Sequence, residues 1–233
     1  MRALPMGLLA AATLLAIQDP VAVNPRIVHV EFENDAIRVL RVHYEPHDSL
    51  GMHSHPPRLV VNLRNSHSRA TLPDGTSTET HGTVGRVVWR EPETHAVENV
   101  GDGPLENIEV EFKKASAPGI PVARSERAAA SPNATEPVPV EQEAHHHVVL
   151  ENQYVRVLDV AIPPGETTLL HTHSHDNLAV RINGGLVETQ EMGKGWQSAT
   201  LSPGTIIFRN PLTHRVKNVG NQVYRVIDLE ILQ

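Results

Sequence analysis

The chain has no cysteine among its 233 residues, so neither a disulfide nor a thiolate metal ligand is available to it. Any metal must be held by nitrogen and oxygen donors. Aromatic residues are scarce, at 3%, which argues against a stacking platform for nucleic-acid bases and against a large aromatic-lined pocket. Positive charge is also in deficit: 20 Lys and Arg face 27 Asp and Glu, and the net charge of -7 leaves no basic footprint for nucleic acid. No stretch keeps up a helical period of apolar residues, so a bundle is not expected. The residue in excess is histidine, with 15 copies.

The one apolar run lies at the start. Arg2 is followed by Ala3 to Ile17, almost wholly apolar apart from a break at Pro5, with Ala10-Ala11-Ala12 and Leu14-Leu15-Ala16 as small-residue cleavage options. It is shorter than the roughly 20 apolar residues that span a bilayer. Residues 1–20 therefore read as a secretory signal peptide rather than a membrane anchor. The expected location is periplasmic or secreted.

The rest of the chain repeats itself. Asn34-Asp35-Ala36-Ile37-Arg38-Val39-Leu40 recurs as Asn152-Gln153-Tyr154-Val155-Arg156-Val157-Leu158, and His53-Ser54-His55 recurs as His171-Thr172-His173, both 118 residues on. Pro92-Glu93-Thr94-His95 and Asn99-Val100-Gly101 recur as Pro211-Leu212-Thr213-His214 and Asn218-Val219-Gly220, now 119 residues on. In-register matches of this kind indicate an internal duplication. Unit one is placed at residues 27–113 and unit two at 147–233. Short alternating segments such as Ile37 to Tyr44, broken by Pro-Asp-Gly and Gly-Asp-Gly, predict antiparallel β-strands in a sandwich or barrel. Residues 114–146, rich in Ala, Pro, Ser and Glu, read as an extended, poorly ordered linker.

Histidines two apart on a strand share a face, so His171 and His173 can both turn inward. A barrel brings the later strand carrying His214 beside them. Three neutral imidazoles suit Fe, Mn, Zn, Ni, Co or Cu and leave coordination positions open. The other histidines lack such support: His29, His43, His67 and His81 read as solvated or edge positions, and His145-His146-His147 as a solvated strand start. Trp89 and Phe208, in corresponding places, read as core, and Trp196 as a rim residue. Arg38 and Arg156 are expected to pair with the acidic final strands.

Gly165 with His171-x-His173, and then His214 and Asn218 after Pro211, resemble the two signature motifs of the cupin superfamily. Their recurrence makes the chain similar to a bicupin. The resemblance implies an all-β protein of two tandem antiparallel jelly-roll barrels joined by the Pro/Ala-rich linker. It also implies metal ligands at His171, His173 and His214, with Asn177 in the place of the family's glutamate. Asp176 or His175 stands close enough to complete the set instead. In unit one the corresponding residues are His53, His55 and His95. There Leu59 is assigned to the glutamate's place, His47 stands where Gly165 does, and the neighbouring Arg58 is a candidate to bind a substrate carboxylate. On this count unit two is expected to be the better metal site.

The function implied is a metal-dependent enzyme, dioxygenase-like, acting on a small oxygen-bearing acid or enolate. Isomerase, decarboxylase or lyase chemistry occurs on the same fold, and so does non-catalytic binding of sugars or organic acids. No general base stands out; Glu188 and Gln190 are the candidates. Whether the barrels pack together or the chain forms a homodimer stays open in the sequence.

Overall fold

The computed structural model describes residues 18–122 and 129–233. Residues 1–17, most of the expected signal peptide, lie outside the described residues. Unit one holds β1 (Val28–Glu33), β2 (Ile37–Tyr44), β3 (Ser49–His55), β4 (Arg58–Asn62), β5 (Ser66–Thr71), β6 (Ser77–Gly82), β7 (Val87–Arg90), β8 (Glu93–Asn99) and β9 (Leu105–Phe112). After a two-residue strand β10 (Val138–Pro139), unit two repeats them. Its strands are β11 (His146–Glu151), β12 (Val155–Ile162), β13 (His171–His173), β14 (Asn177–Arg181), β15 (Gly185–Glu191), β16 (Gln197–Leu201), β17 (Ile206–Arg209), β18 (Leu212–Asn218) and β19 (Tyr224–Ile231).

Each unit is two antiparallel sheets facing each other. In unit one the orders are β1-β2-β9-β4-β7 and β3-β8-β5-β6, and unit two repeats them as β11-β12-β19-β14-β17 and β10-β13-β18-β15-β16, with β10 added at the edge. Even the irregularity in the first hairpin is copied, with a register shift after Val30 and again after Val148. These are the two tandem antiparallel barrels expected from the repeat.

The first sheets of the two units pack face to face. Val39, Leu59, Ile108 and Val110 of unit one share one buried core with Val157, Leu178, Val180, Ile227 and Leu229 of unit two. Phe32 stacks on Phe208 at 4.7 Å, and Trp89 lies 5.9 Å from Tyr154 across the same junction. This explains why β4 and β14 are buried at every position. One face of each meets the other barrel and the opposite face meets its own interior, so the strands read as near-continuous apolar runs rather than alternating ones.

The described residues of the linker find backbone partners that its composition does not suggest. Tyr154 Oη donates to Ala117 O, Val122 N donates to Glu151 O, and Ala130 N donates to Gln142 O. Val138 and Pro139 then run parallel to His171 and Thr172. Unit one has a matching arm: Ser54 N donates to Gln18 O, and Asp19 caps the short helix α1 (Pro20–Val23). Proline-rich segments can be ordered wherever their backbone finds partners, and here both arms lie beside a His-x-His strand.

Candidate metal centres

In unit one β3 presents His53 and His55 on its inner face, and β8 pairs with it so that His53 stands opposite His95. The three rings are 4.7 to 5.5 Å apart and all buried. One ligating nitrogen from each lies within 4.8 Å of the others. Three nitrogens bound to one ion at about 2.0–2.1 Å each lie at most about 3.6 Å apart, so the rings must draw together around an ion. His53 Nδ1 is tied to Gly51 O at 2.8 Å and His55 Nδ1 to the Glu111 carboxylate at 2.8 Å, which leaves each Nε2 for the shared centre. Arg38 Nε in turn donates to Glu111 at 2.6 Å. Carboxylates that orient ligand histidines in this way fix the tautomer and raise ligand basicity.

Burial pushes His53 below its ordinary pKa and His95 to about 4, with Arg58 adding to the effect on His95. Both are therefore neutral at pH 7, as a ligand must be. A divalent ion fits this donor set.

The barrel of unit one encloses a cavity of about 290 Å³ against these histidines. Arg58 projects into it, 2% exposed. Its Nε donates to Glu109 at 2.8 Å and one Nη to Glu93 at 2.6 Å, while Nη1 is buried and bonds to no protein atom. Tyr44 lines the same cavity, and burial raises its pKa, so its hydroxyl keeps its proton.

Leu59, assigned to the glutamate's place in the sequence, does not face the site; it packs in the core between the barrels. The reason is a one-residue difference in a turn. Two residues separate His55 from Arg58, and three separate His173 from Asn177. Arg58 pairs with Glu111 as Asn177 pairs with Glu230, so Arg58 is the true counterpart of Asn177. A slip of one residue along a strand reverses every side chain.

In unit two His171, His173 and His214 converge with ring separations of 4.6 to 5.3 Å. Asn177 faces the same interior, 1% exposed, with neither amide atom partnered. Asp176 is half-buried, outside the cluster of buried rings, and its carbonyl accepts from Ile231 N. His175 is likewise half-buried. Glu230 lies 3.6 Å from His173 Nδ1 and accepts from Arg156 at 2.8 Å, repeating the Arg38–Glu111–His55 chain. Arg38 and Arg156 thus pair with the final strands as expected.

His146 departs from the solvated strand start expected of it. It is 7% exposed and packs against His171, with ring centroids 4.5 Å apart. Its ligating nitrogen falls within 4.8 Å of those of His171 and His173. The duplication itself carried the signal, since His146 aligns with the buried core residue Val28. Burial holds His146 and His171 below their usual pKa, and His214 at about 2. Burial also opposes protonation of His173, but Asp228 and Glu230 outweigh it and raise that pKa. The candidate bases Glu188 and Gln190 sit on the outer hairpin, where they meet Lys217 and Arg215 rather than the histidines.

No family model matches the chain, and no characterised protein matches it by sequence. Solved structures do match. AerE from Microcystis aeruginosa aligns over 93% of this chain and 98% of its own, at 16% identity and a TM-score of 0.65. Lactobacillus farciminis oxalate decarboxylase, in a formate complex, aligns over 88% and 83% at 13% identity and a TM-score of 0.57. A point mutant of salicylate 1,2-dioxygenase from Pseudoaminobacter salicylatoxidans aligns over 84% and 71% at 10% identity and a TM-score of 0.54. With its two antiparallel barrels and a histidine cluster in each, the chain is by fold a bicupin.

Proposed function

We propose that this protein is a metal-dependent enzyme, dioxygenase-like, that acts on a small carboxylic acid in the barrel of unit one. The observation that carries this reading is Arg58, which lines the 290 Å³ cavity with His53, His55 and His95 and whose buried Nη1 bonds to no protein atom. A buried donor without a partner costs about 1–3 kcal/mol, a cost that an anionic oxygen in the cavity removes. The volume sits at the lower end of small-molecule sites, which restricts the substrate to a compact acid. This differs from the sequence-based preference for unit two, because Arg58 and the cavity both belong to unit one.

A divalent metal on the three histidines would supply Lewis acidity and, as iron, dioxygen activation. The chain supplies the rest. Glu93 and Glu109 hold Arg58 by two of its three nitrogens, and the third would be the donor left for a substrate carboxylate. Tyr44 keeps a proton available to a substrate oxygen. Leu50, Val60 and Val97 line the cavity and limit water. The fold neighbours named for oxalate and salicylate chemistry are consistent with an acid substrate. We also place the protein in the periplasm or outside the cell, on the composition of its first residues.

The test is turnover by protein loaded with Fe(II) or Mn(II), measured as oxygen uptake and carbon dioxide release with β-diketones, catechols and small acids. Activity should vanish in His53→Ala and Arg58→Ala and survive in His171→Ala. Activity that instead follows His171 would move the site to unit two. Saturable binding of an acid without turnover under any metal would make the protein a binding module.

A further inference from the structure

The two histidine clusters differ by one ligand, and the extra one comes from a strand outside the duplicated motif. His146 enters unit two's interior from β11, where unit one has Val28. Its Nδ1 is held by Glu143 at 2.5 Å. Glu143 is buried and fixed in turn by the backbone N–H groups of His145 and Leu169, at 2.9 and 3.2 Å. The opposite nitrogen, Nε2, is therefore left for His171 and His173, whose ring centroids lie 4.5 and 6.1 Å from that of His146. His171 Nε2 is buried without a partner, as are both nitrogens of His214, whose ring lies 4.6 Å from that of His171 and 5.3 Å from that of His173.

The geometry points to a four-histidine metal centre in unit two, with His146, His171, His173 and His214 as ligands and Glu143 as the residue that orients His146. It rests on the reading that the histidine clusters hold metal. The neutral Asn177 occupies the family glutamate's place, and a fourth imidazole from β11 supplies the missing strong donor. Four imidazoles fill a tetrahedral shell, the geometry of a closed structural site, and they suit zinc and similar late first-row ions. Unit one, with three histidines and a cavity, keeps positions open. The two centres would then differ in role: a tightly held ion in unit two, and a substrate-accessible one in unit one.

The test uses the full chain carrying His53→Ala and His95→Ala, which removes the unit-one centre, and reads zinc affinity by chelator competition. Adding His146→Val, which installs unit one's own residue, should weaken binding at least tenfold. X-ray absorption should then count three nitrogen neighbours from histidine instead of four. Glu143→Gln should weaken binding by a similar factor while all four ligands remain, since carboxylates orienting ligand histidines typically account for 10–100-fold. Should His146→Val fail to fold, Glu143→Gln and the ligand count in the parent decide the question. Unchanged affinity in both variants, or three histidines in the parent, would overturn the four-histidine centre and leave the unit-one proposal standing. Absence of metal from both units of the wild-type chain would overturn both.

Discussion

Arg58 and Asn177 stand at one place in two copies of the same barrel, and the difference between them separates the chemistry of the units. Arg58 brings a guanidinium with an unpaired Nη1 to the lining of a cavity, whereas Asn177 brings a neutral, unpartnered amide into the interior of unit two. A second residue pair shows how far the copies tolerate change. Gly165 sits at φ 81° and its counterpart His47 at φ 66°, the single non-glycine residue with positive φ among the described residues. Nothing lies within 4 Å of a Cβ built at Gly165. Gly165→Ala should therefore cost only the left-handed backbone penalty, about 1–2 kcal/mol in denaturant unfolding. A loss several times larger would mean that the glycine has a packing role.

The buried histidines also set a pH response for metal-free protein. Burial lowers His95 to about 4 and His214 to about 2, and lowers His53, His146 and His171 as well. Unfolded, each would titrate near 6.5. Between the folded and unfolded values the unfolded chain binds the extra proton, so stability is complete above about pH 6.5 and falls as pH drops below it. The slope is about 1.4 kcal/mol per pH unit for each such histidine. His145 and His173 are raised and offset part of the loss. Thermal midpoints of chelator-treated protein should fall steeply from pH 7 to pH 5; a flat profile would contradict neutral buried imidazoles.

Among the elements, the antiparallel strands and their duplication were legible because alternation and the repeat both reported them. What was not legible followed from register. The turn after His173 is one residue longer than the turn after His55, so an alignment carried forward from the histidines put Leu59 where Arg58 belongs. His146 was hidden for a related reason: a run of three histidines looks polar, yet the middle one is buried while His145 is half-buried and His147 exposed. The arms were missed because composition reports flexibility and not backbone partners. Asp19 caps α1 and pairs with Arg38 at 2.5 Å, which in turn holds Glu111 against His55. Asp19→Ala should cost about 1 kcal/mol, mainly as a lost cap. It should also weaken metal binding in unit one but not in unit two. Equal effects on both units would refute this chain of contacts.

At the scale of the molecule, the sheets that carry the ligand-orienting glutamates are the same sheets that join the barrels. Leu229 lies between Asp228 and Glu230 and is fully buried in the shared core. Leu229→Ala should cost about 2–5 kcal/mol, the usual range for a large buried side chain. Because both barrels contribute to that core, calorimetry should show one transition for the whole chain, shifted as a unit by this change. Two separated transitions would mean that the barrels fold independently.

The central claim is that unit one binds a small acid through Arg58 beside a three-histidine metal centre. Calorimetric titration of oxalate into the zinc-loaded protein, in which redox turnover is absent, tests it most directly. The account predicts one site per chain, abolished by Arg58→Ala and by His95→Ala and unchanged by His214→Ala. Binding that persists without Arg58, or that disappears with His214, would contradict it.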